Sequence, residues 1–293
     1  MKIGFLILAH RNFNQLKMLI EILLVYEYSQ VIIHVDAKSN ELYEKLKSTF
    51  VNNNRVYLVS ERYKVYWGSF NQIRATLSLI ERANEMQDLE YCVLLSGQDL
   101  PTKPINELAN FLIKNKGKEY LSYFKLPDAQ WEDGGLNRIK HFSFDIDNHP
   151  YLSNKVNTLI SRLQNFLRIK RPLKYDYFGG PNWFNLSGHA LKYISQYVKE
   201  NPDYLKHFKF TRCADEIFIQ TILLNSEFKE LVISNDLRLI DWGSGPEYPK
   251  IWRNADENEL FNVDNKFFAR KFDEEIDCNI IQKLHQRFAN KQA

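Results

Sequence analysis

The first half of the chain alternates between short apolar runs and amphipathic stretches. The apolar runs predict buried strands at residues 3–9, 31–35, 56–59 and 91–95. Between these runs, apolar residues recur at helical spacing, which predicts helices at residues 14–26, 40–50 and 70–85. Strands that alternate with helices indicate an α/β protein with a mostly parallel, Rossmann-like sheet flanked by helices. Such sheets bind ligands beyond the carboxyl ends of their strands.

The second half of the chain has a less regular pattern. Residues 120–124 predict a further strand, residues 127–150 an irregular segment long enough for a binding loop, and residues 157–167 an amphipathic helix. Further helices are predicted from about Ser187 and after Thr211, a candidate cap. A strand is predicted to end at Asp241. No repeat, low-complexity tract or linker divides the sequence, so we predict a single domain over residues 1–293.

Polar side chains close the predicted strands. His10 and Arg11 follow the first strand, Asp36 follows the second, and Gln98 and Asp99 follow the fourth. Because parallel strands end at one edge of a sheet, these residues are expected to converge on one crevice. For each residue alone, a polar strand end without a function is the alternative. Enzymes that handle nucleoside diphosphates often place two carboxylates at such a strand end to hold a metal, and here there is one.

A basic pair near the C-terminus could neutralise a diphosphate without a metal. Arg270 and Lys271 are adjacent and are flanked by Phe267, Phe268 and Phe272. Two charges in an apolar setting are costly unless an anion meets them. The acidic residues 273–275, at a charged helix start, could be those anions. Alternatively, a guanidinium and an ammonium are well suited to bind a diphosphate.

Other residues are candidates for catalysis or sugar binding. Asp215 and Glu216 fall in or near the first turn of a predicted helix, where acids are stabilised by the helix dipole. Alternatively, Glu216 is a general base that takes a proton from an incoming hydroxyl. Trp242 follows a predicted strand and could either stack against a sugar or fill the end of the core. Trp183 follows a Gly-Gly-Pro turn, and the same two alternatives apply to it.

Composition narrows the class of protein and its compartment. The chain has 39 basic and 36 acidic residues and a net charge of +3, which argues against a general nucleic-acid binder. Its three cysteines are widely spaced and indicate neither a disulfide framework nor a zinc site. The N-terminal apolar run is too short for a signal sequence or a membrane span. We therefore predict a cytoplasmic location.

Residues 157–174 combine an amphipathic helix with a basic extension. Four cations follow the helix: Arg168, Lys170, Arg171 and Lys174. A basic amphipathic segment can lie on an anionic membrane surface, which predicts peripheral contact with the inner face of the plasma membrane. A helix with a solvated face is the alternative.

The motifs of the chain, taken together, resemble one family of inverting glycosyltransferases: the core-2/I-branching β-1,6-N-acetylglucosaminyltransferases and peptide O-xylosyltransferases, in their bacterial form. The resemblance covers nearly the whole chain in order, through ILAHRNFNQL, IIHVDAKS, VYWGSFNQIRATL, LLSGQDLPTKP, GLNRIKHF, FGGPNWFNLS, ADEIFIQTILLNS, LRLIDW and FFARKFD. It implies a GT-A type fold and a UDP-sugar donor. It also implies no metal ligands and no cofactor. This agrees with the single carboxylate, Asp99, after the fourth predicted strand, where metal-binding enzymes often have two.

The resemblance also implies roles for individual residues. Residues 1–125 would bind the nucleotide, and residues 126–293 would bind the acceptor and carry the catalytic and phosphate-binding groups. Glu216 would be the base. The donor-binding residues would be His10, Asp36, Asp99, Arg270 and Lys271, with Asp36 at the uridine end and the last two at the phosphates. The acceptor-binding residues would be Arg138, Trp183, Asp215 and Trp242.

The expected function is transfer of a sugar, N-acetylglucosamine being favoured, from a UDP-sugar to a hydroxyl of a glycan. The membrane anchor, stem and disulfides of eukaryotic members are missing, so we expect a lipid-linked or surface polysaccharide acceptor in bacteria. A UDP-xylose-dependent enzyme and a non-catalytic glycan- or nucleotide-binding protein on the same scaffold are the alternatives.

Overall fold

The structure, a computed structural model, describes residues 1–129, 131–144 and 150–289. Its strands are β1 (Ile3–Ala9), β2 (Ser29–Val35), β3 (Val56–Leu58), β4 (Tyr91–Ser96), β5 (Asp99–Pro101), β6 (Glu119–Leu121), β7 (Phe124–Lys125), β8 (Phe178–Gly179), β9 (Phe184–Ser187), β10 (Val232–Ile233), β11 (Arg238–Ile240) and β12 (Phe268–Arg270). Its α-helices are α1 (Phe13–Leu24), α2 (Asn40–Thr49), α3 (Asn71–Glu85), α4 (Ile105–Lys114), α5 (Asn137–Lys140), α6 (Pro150–Phe166), α7 (Gly188–Glu200), α8 (Pro202–Lys209), α9 (Asp215–Leu224), α10 (Glu257–Phe261) and α11 (Cys278–Ala289).

A central sheet of seven strands runs in the order β10-β6-β9-β4-β1-β2-β3. Strands β1 to β4 pair in parallel, as does β10 with β6, whereas β9 is antiparallel to both β4 and β6. The predicted α/β class with a mostly parallel sheet is confirmed. A smaller sheet joins β11 to β12 in parallel and β12 to β5 in antiparallel pairing.

The central sheet is covered on both faces, and this explains its continuous apolar runs. Along β1, Phe5 and Ile7 belong to a core that includes α1 and α11, whereas Leu6 belongs to a second core with α3, α7 and α9. Because successive residues of a strand point to opposite faces, a strand buried on both sides needs apolar residues at every position.

Several predictions for the second half of the chain are corrected by the structure. The predicted strand at 120–124 is divided between β6 and β7, and the predicted helix at 157–167 begins earlier, at Pro150. The segment 127–150 is irregular apart from a short 3-10 helix and α5, with residues 130 and 145–149 outside the described part.

Two predicted helix starts are wrong. Helix α9 begins at Asp215, and Thr211 does not cap it but lies buried, where its hydroxyl accepts a hydrogen bond from Arg171 at 2.9 Å. No helix starts at residues 273–275 either, since α11 begins at Cys278. The prediction at Ser187 is confirmed, because its hydroxyl accepts a hydrogen bond from the Ala190 amide at 3.1 Å and caps α7.

Candidate active site

The ends of β1, β2 and β4 bring polar residues to one edge of the sheet. Ala9 is paired with Val35 and Leu8 with Ser96, so the three strands end level with one another. The Asp36 amide donates to the Ala9 carbonyl at 2.8 Å. The predicted convergence of His10, Asp36 and the loop after β4 is therefore what the structure shows.

Strand β12 delivers Arg270 to the same edge. In the smaller sheet Arg270 stands opposite Asp99, and its Nη1 lies 3.1 Å from Asp99 Oδ1 while also donating to Ser96 Oγ. Asp99 is completely buried, and its Oδ2 accepts the Ser96 amide at 2.8 Å. The carboxylate predicted to lie near a donor sugar is thus engaged by protein groups, and it fixes the guanidinium of Arg270.

Four cationic or titratable side chains cluster here, and we call His10, Arg11, Arg270 and Lys271 the basic cluster. The pKa of Lys271 is lowered, first by burial and then by the charges of Arg270 and Arg11. The pKa of His10 is lowered mainly by burial and then by Arg11, with smaller effects of Arg270 and Lys271, although Asp36 opposes them. These effects indicate that the four side chains lie near one another, and two of them, Arg11 and Arg270, are each paired with a carboxylate, Asp273 and Asp99.

The acidic residues after the basic pair form no direct ion pair with it, although the charge of Asp273 acts to raise the pKa of Lys271 and partly opposes the other effects. Asp273 Oδ2 lies 2.6 Å from Arg11 Nη2, and Glu274 accepts the Gln15 amide at 2.9 Å. Among the residues that the structure describes, no carboxylate oxygen lies within 4 Å of Lys271 Nζ. An ammonium that is partly desolvated and has no carboxylate in direct contact is suited to an anionic ligand.

Asp36 supports the loop between β3 and α3. Its Oδ1 accepts the Lys38 amide at 2.8 Å and its Oδ2 accepts the Val65 amide at 3.2 Å. Lys38 Nζ is 3.5 Å from the same carboxylate, which is almost fully buried. The predicted contact between Asp36 and a uridine stays a prediction.

Glu216 lies in the first turn of α9 and is paired with a distant residue. Its Oε2 is 2.6 Å from Arg138 Nη1 on α5, and the Arg138 guanidinium lies 4.0 Å over the ring of Trp131. Glu216 and Arg138 are 39% and 31% exposed. Glu216 thus lies where the helix dipole stabilises an acid, and Arg138 also holds its side chain in place at an open position. Its role as a general base stays a prediction.

The connection between β8 and β9 contacts both the basic cluster and the start of α9. The Gly180 amide donates to the Glu216 carbonyl at 2.9 Å, and a side chain at Gly180 would come within 2.2 Å of the Ser122 carbonyl oxygen. Trp183, three residues on, is 8% exposed and packs 4.8 Å from the Arg270 guanidinium. Trp183 therefore lies between the two halves of the site, mostly covered by protein, and its predicted acceptor contact stays a prediction.

Trp242 differs from Trp183 because it is open to solvent. It follows β11 and is 63% exposed, so the alternative that it plugs the core is wrong. The preceding Asp241 carboxylate accepts the amides of Gly243 and Ser244 at 2.7 and 3.0 Å, which shapes the loop. An exposed indole on a shaped loop is available for a sugar face.

Asp215 faces a cleft between α3 and α9. The cleft is lined by Asp215, Thr76, Asn182 and Phe218 among others. Burial, and then the charge of Glu216, raises the pKa of Asp215 to about 7. Near neutral pH this carboxyl is partly protonated and can donate a hydrogen bond.

Trp67 and Arg212 are candidate site residues that the sequence analysis did not identify. Trp67 is 79% exposed, and the Arg212 guanidinium lies 4.9 Å over its ring. The Cys213 amide donates to the Gly68 carbonyl at 2.9 Å, which places this loop against the approach to α9. The sequence feature that could have identified Trp67 is its position before a glycine within the VYWGSF motif.

The described part of the chain lacks a metal-binding cluster and a membrane-spanning helix. Within residues 1–129, 131–144 and 150–289, no group of three or more His, Cys, Asp and Glu side chains is arranged to hold a metal ion. In the same part of the chain, no helix has the length and apolar character needed to cross a bilayer.

Comparison with known proteins places the chain in a family. A model of the family described as "Core-2/I-Branching enzyme" matches residues 3–264, so the chain belongs to the Core-2/I-branching enzyme family. The resemblance found in the motifs is thereby confirmed.

Individual relatives are similar at low identity. Xylosyltransferase 2 of Rattus norvegicus is 25% identical over 97% of this chain, and xylosyltransferase oxt of Drosophila pseudoobscura pseudoobscura is 24% identical over the same share. The chain spans about a third of the length of these relatives, 33% in both cases. Among solved structures, HddC from Yersinia pseudotuberculosis aligns with 49% of this chain and 65% of its own at 13% identity and a TM-score of 0.28, a likeness too low to define a fold.

Proposed function

We propose that the chain is an inverting glycosyltransferase that moves a sugar from a UDP-sugar to a hydroxyl of a glycan or lipid-linked glycan. The observation that carries the proposal is that one connection, between β8 and β9, contacts both the basic cluster, through Trp183 and Arg270, and the helix start that carries Glu216. Membership of the Core-2/I-branching enzyme family supports it. A protein that only binds a glycan or nucleotide has no need of such a base.

Glu216 acts as the general base in this proposal. Arg138 holds its Oε2, which orients the carboxylate so that Oε1 faces the acceptor hydroxyl. The oxygen of that hydroxyl attacks the anomeric carbon from the face opposite UDP while its proton passes to Glu216. The bond from the anomeric carbon to the diphosphate breaks at the same time, and an α-linked donor gives a β-linked product.

Arg270 and Lys271 stabilise the departing UDP. Negative charge grows on the diphosphate as the bond breaks, and a preorganised guanidinium and ammonium offset it without further reorganisation. Asp99 and Trp183 hold Arg270 in place beforehand. Because these cations supply the positive charge, and because Asp99 is already engaged by Arg270 and Ser96, the proposal includes transfer without a divalent metal.

The donor sugar is proposed to be N-acetylglucosamine, with xylose as the second candidate. The branching activity after which the family is described supports the first. The second is supported by the names of the xylosyltransferase relatives, which align with 97% of this chain. The two donors differ in exocyclic groups that a pocket reads by shape. A role in bacterial surface polysaccharide synthesis at the cytoplasmic face of the membrane is part of the same proposal.

The test is to incubate the protein with a panel of UDP-sugars in EDTA and measure UDP release. We expect slow release without an acceptor and faster release with glycan acceptors, for UDP-N-acetylglucosamine above UDP-xylose. Thermal-shift protection by UDP is measured in parallel. Protection without any turnover on the panel would favour a binding protein, and activity that EDTA abolishes and Mn²⁺ restores would refute the metal-free mechanism.

A further inference from the structure

Helix α6 carries an apolar stripe that faces solvent. Leu159, Leu163, Phe166 and Leu167 are spaced four, three and one residues apart, which places them on one side of the helix. They are 65%, 54%, 83% and 53% exposed. The inward side is marked by Gln164, which is buried and bonds to both the amide and the carbonyl of Phe142. The exposed stripe is therefore not the side by which α6 packs on the protein.

The charged residues within the segment that carries the stripe are all basic. Between residues 149 and 175 the sequence has no Asp or Glu and six basic residues: Lys155, Arg162, Arg168, Lys170, Arg171 and Lys174. All but Arg171 are exposed. The whole chain, by contrast, has nearly equal numbers of basic and acidic residues. The exposed apolar side chains and an excess of basic residues thus occur together in a single segment.

Arg171 fixes this segment to the acceptor side of the site. Its guanidinium donates to the carbonyl oxygens of His207 and Arg138 at 2.6 and 3.2 Å, and to the Thr211 hydroxyl at 2.9 Å. Arg138 is the partner of Glu216, and Thr211 precedes α9. The exposed stripe is consequently held in a defined position relative to the candidate active site.

We propose that this segment is a docking face for the surface of an anionic lipid bilayer. The docking face consists of the four stripe residues, the half-exposed Ile169 and Leu173 that follow them, and the exposed cations Arg162, Arg168, Lys170 and Lys174. Its leucine and phenylalanine side chains enter the boundary between headgroups and acyl chains, and its cations meet anionic headgroups.

A second copy of the chain is a poorer occupant of the docking face. In a two-fold contact the same patch meets itself, so the exposed cations of one copy would oppose those of the other with no acid in the segment to compensate. A bilayer containing anionic lipid supplies both the apolar phase and the opposite charge. The proposal concerns binding alone and does not depend on sugar transfer.

The test is co-sedimentation of the protein with vesicles of phosphatidylcholine containing about a third phosphatidylglycerol, in the absence of any UDP-sugar. We expect binding to these vesicles, weaker binding at high salt, and little binding to phosphatidylcholine alone. Leu163→Ser with Phe166→Ser should abolish binding. The matched control is Val51→Ser with Ile113→Ser, two exposed apolar residues elsewhere, which should bind as the parent protein does.

Charge reversal is the second part of the vesicle-binding test. Arg168→Glu with Lys170→Glu should weaken binding by at least about twentyfold, since each basic residue near an anionic surface contributes about fivefold. Lys47→Glu with Lys229→Glu makes the same change of net charge on exposed positions away from α6 and should have a much smaller effect. Equal losses in both double variants, or binding that survives the serine substitutions, would refute the docking face. A dimer in sedimentation velocity that Phe166→Ser dissociates would assign the face to a second copy instead.

Discussion

The basic cluster and the Glu216–Arg138 pair form the two sides of one site, but they are built differently. Arg270 projects from a strand, its side chain is 20% exposed, and its partner Asp99 is fully buried. Arg138 and Glu216 project from helix ends and are 31% and 39% exposed. The basic cluster, which is the proposed donor side, is therefore set into the sheet framework, whereas the Glu216–Arg138 pair, the proposed acceptor side, is open.

This difference agrees with what each side would hold under the proposed function. Like charges repel, so a cluster of cations keeps its geometry in the absence of ligand only if buried carboxylates and packed rings fix it. A single ion pair near the surface needs no such framework and contributes little to stability because solvent screens it. We therefore expect loss of the buried carboxylate Asp99, on the donor side, to affect both folding and binding, and loss of Glu216, on the acceptor side, to affect mainly turnover.

Replacing the proposed base should give the largest effect. Glu216→Gln keeps the size of the side chain but cannot take a proton, so we expect transfer to fall by about 10²–10⁴-fold. UDP affinity and thermal stability should stay close to those of the parent protein. Transfer is measured by UDP release with acceptor, and affinity by calorimetry. Transfer that persists in this variant would remove Glu216 from its proposed role.

Breaking the buried pair should have the largest effect on stability. Asp99→Asn removes the charge that compensates Arg270, and we expect a loss of about 2–4 kcal/mol in the free energy of unfolding. UDP binding should weaken as well, because Arg270 is no longer fixed. Denaturant unfolding at pH 7 measures the first effect.

The matched control for Asp99 is Asp203→Asn, which breaks the exposed pair with Lys206, where no measurable loss is expected. Equal stability of the two variants would mean that the donor side is not built into the framework as described.

The sequence predicts the framework of the donor side well. Strand β1 is found at the predicted residues, and α2 and α3 start and end within one residue of the prediction. These elements are long and have a clear period, and strands buried on both faces leave unmistakable apolar runs. The convergence of His10 and Asp36 then follows from parallel pairing alone.

The remainder of the site depends on long-range contacts, which local sequence patterns do not predict. Asp99 and Arg270 are 171 positions apart, and they meet because β5 and β12, each three residues long, are paired. Strands so short show no periodicity. The residue type of Thr211 predicts a helix cap, but its hydroxyl instead accepts a hydrogen bond from Arg171, which is 40 positions away. Tertiary contacts of this kind decide a residue's role without changing the pattern around it.

Removing one cation of the basic cluster should separate binding from folding. Lys271→Ala deletes an ammonium whose pKa is lowered first by burial and then by Arg270 and Arg11. We expect UDP affinity to fall by roughly 10- to 100-fold, as for loss of a hydrogen bond to a charged group. Stability at pH 7 should not fall, because the charged form is disfavoured in the folded protein.

The control for Lys271 is Lys229→Ala, an exposed lysine outside the site, which should bind UDP as the parent protein does. Titration calorimetry with UDP and denaturant unfolding give the two readouts. Unchanged UDP affinity in Lys271→Ala would separate this residue from the phosphates.

Asp215 allows the acceptor side to be tested by pH. Its pKa is raised to about 7, first by burial and then by Glu216, so the folded protein keeps a proton that the unfolded chain loses above its usual value of 3.8. Stability therefore falls as pH rises between these two values and levels off above them. Asp215→Asn removes this loss, so we expect the variant to gain about 1–3 kcal/mol over the parent protein at pH 8 and almost nothing at pH 4.

The contribution of Glu216 to this shift can be isolated with Glu216→Gln. Because the charge of Glu216 helps to raise the pKa of Asp215, the pH-dependent loss of stability should be smaller in that variant. Denaturant unfolding of the parent, Asp215→Asn, Glu216→Gln and the double variant at pH 4, 6 and 8 measures the coupling between the two acids. Parallel stability curves for all four proteins would show that the two carboxyl groups do not interact, and the acceptor side would then lack the electrostatic coupling described here.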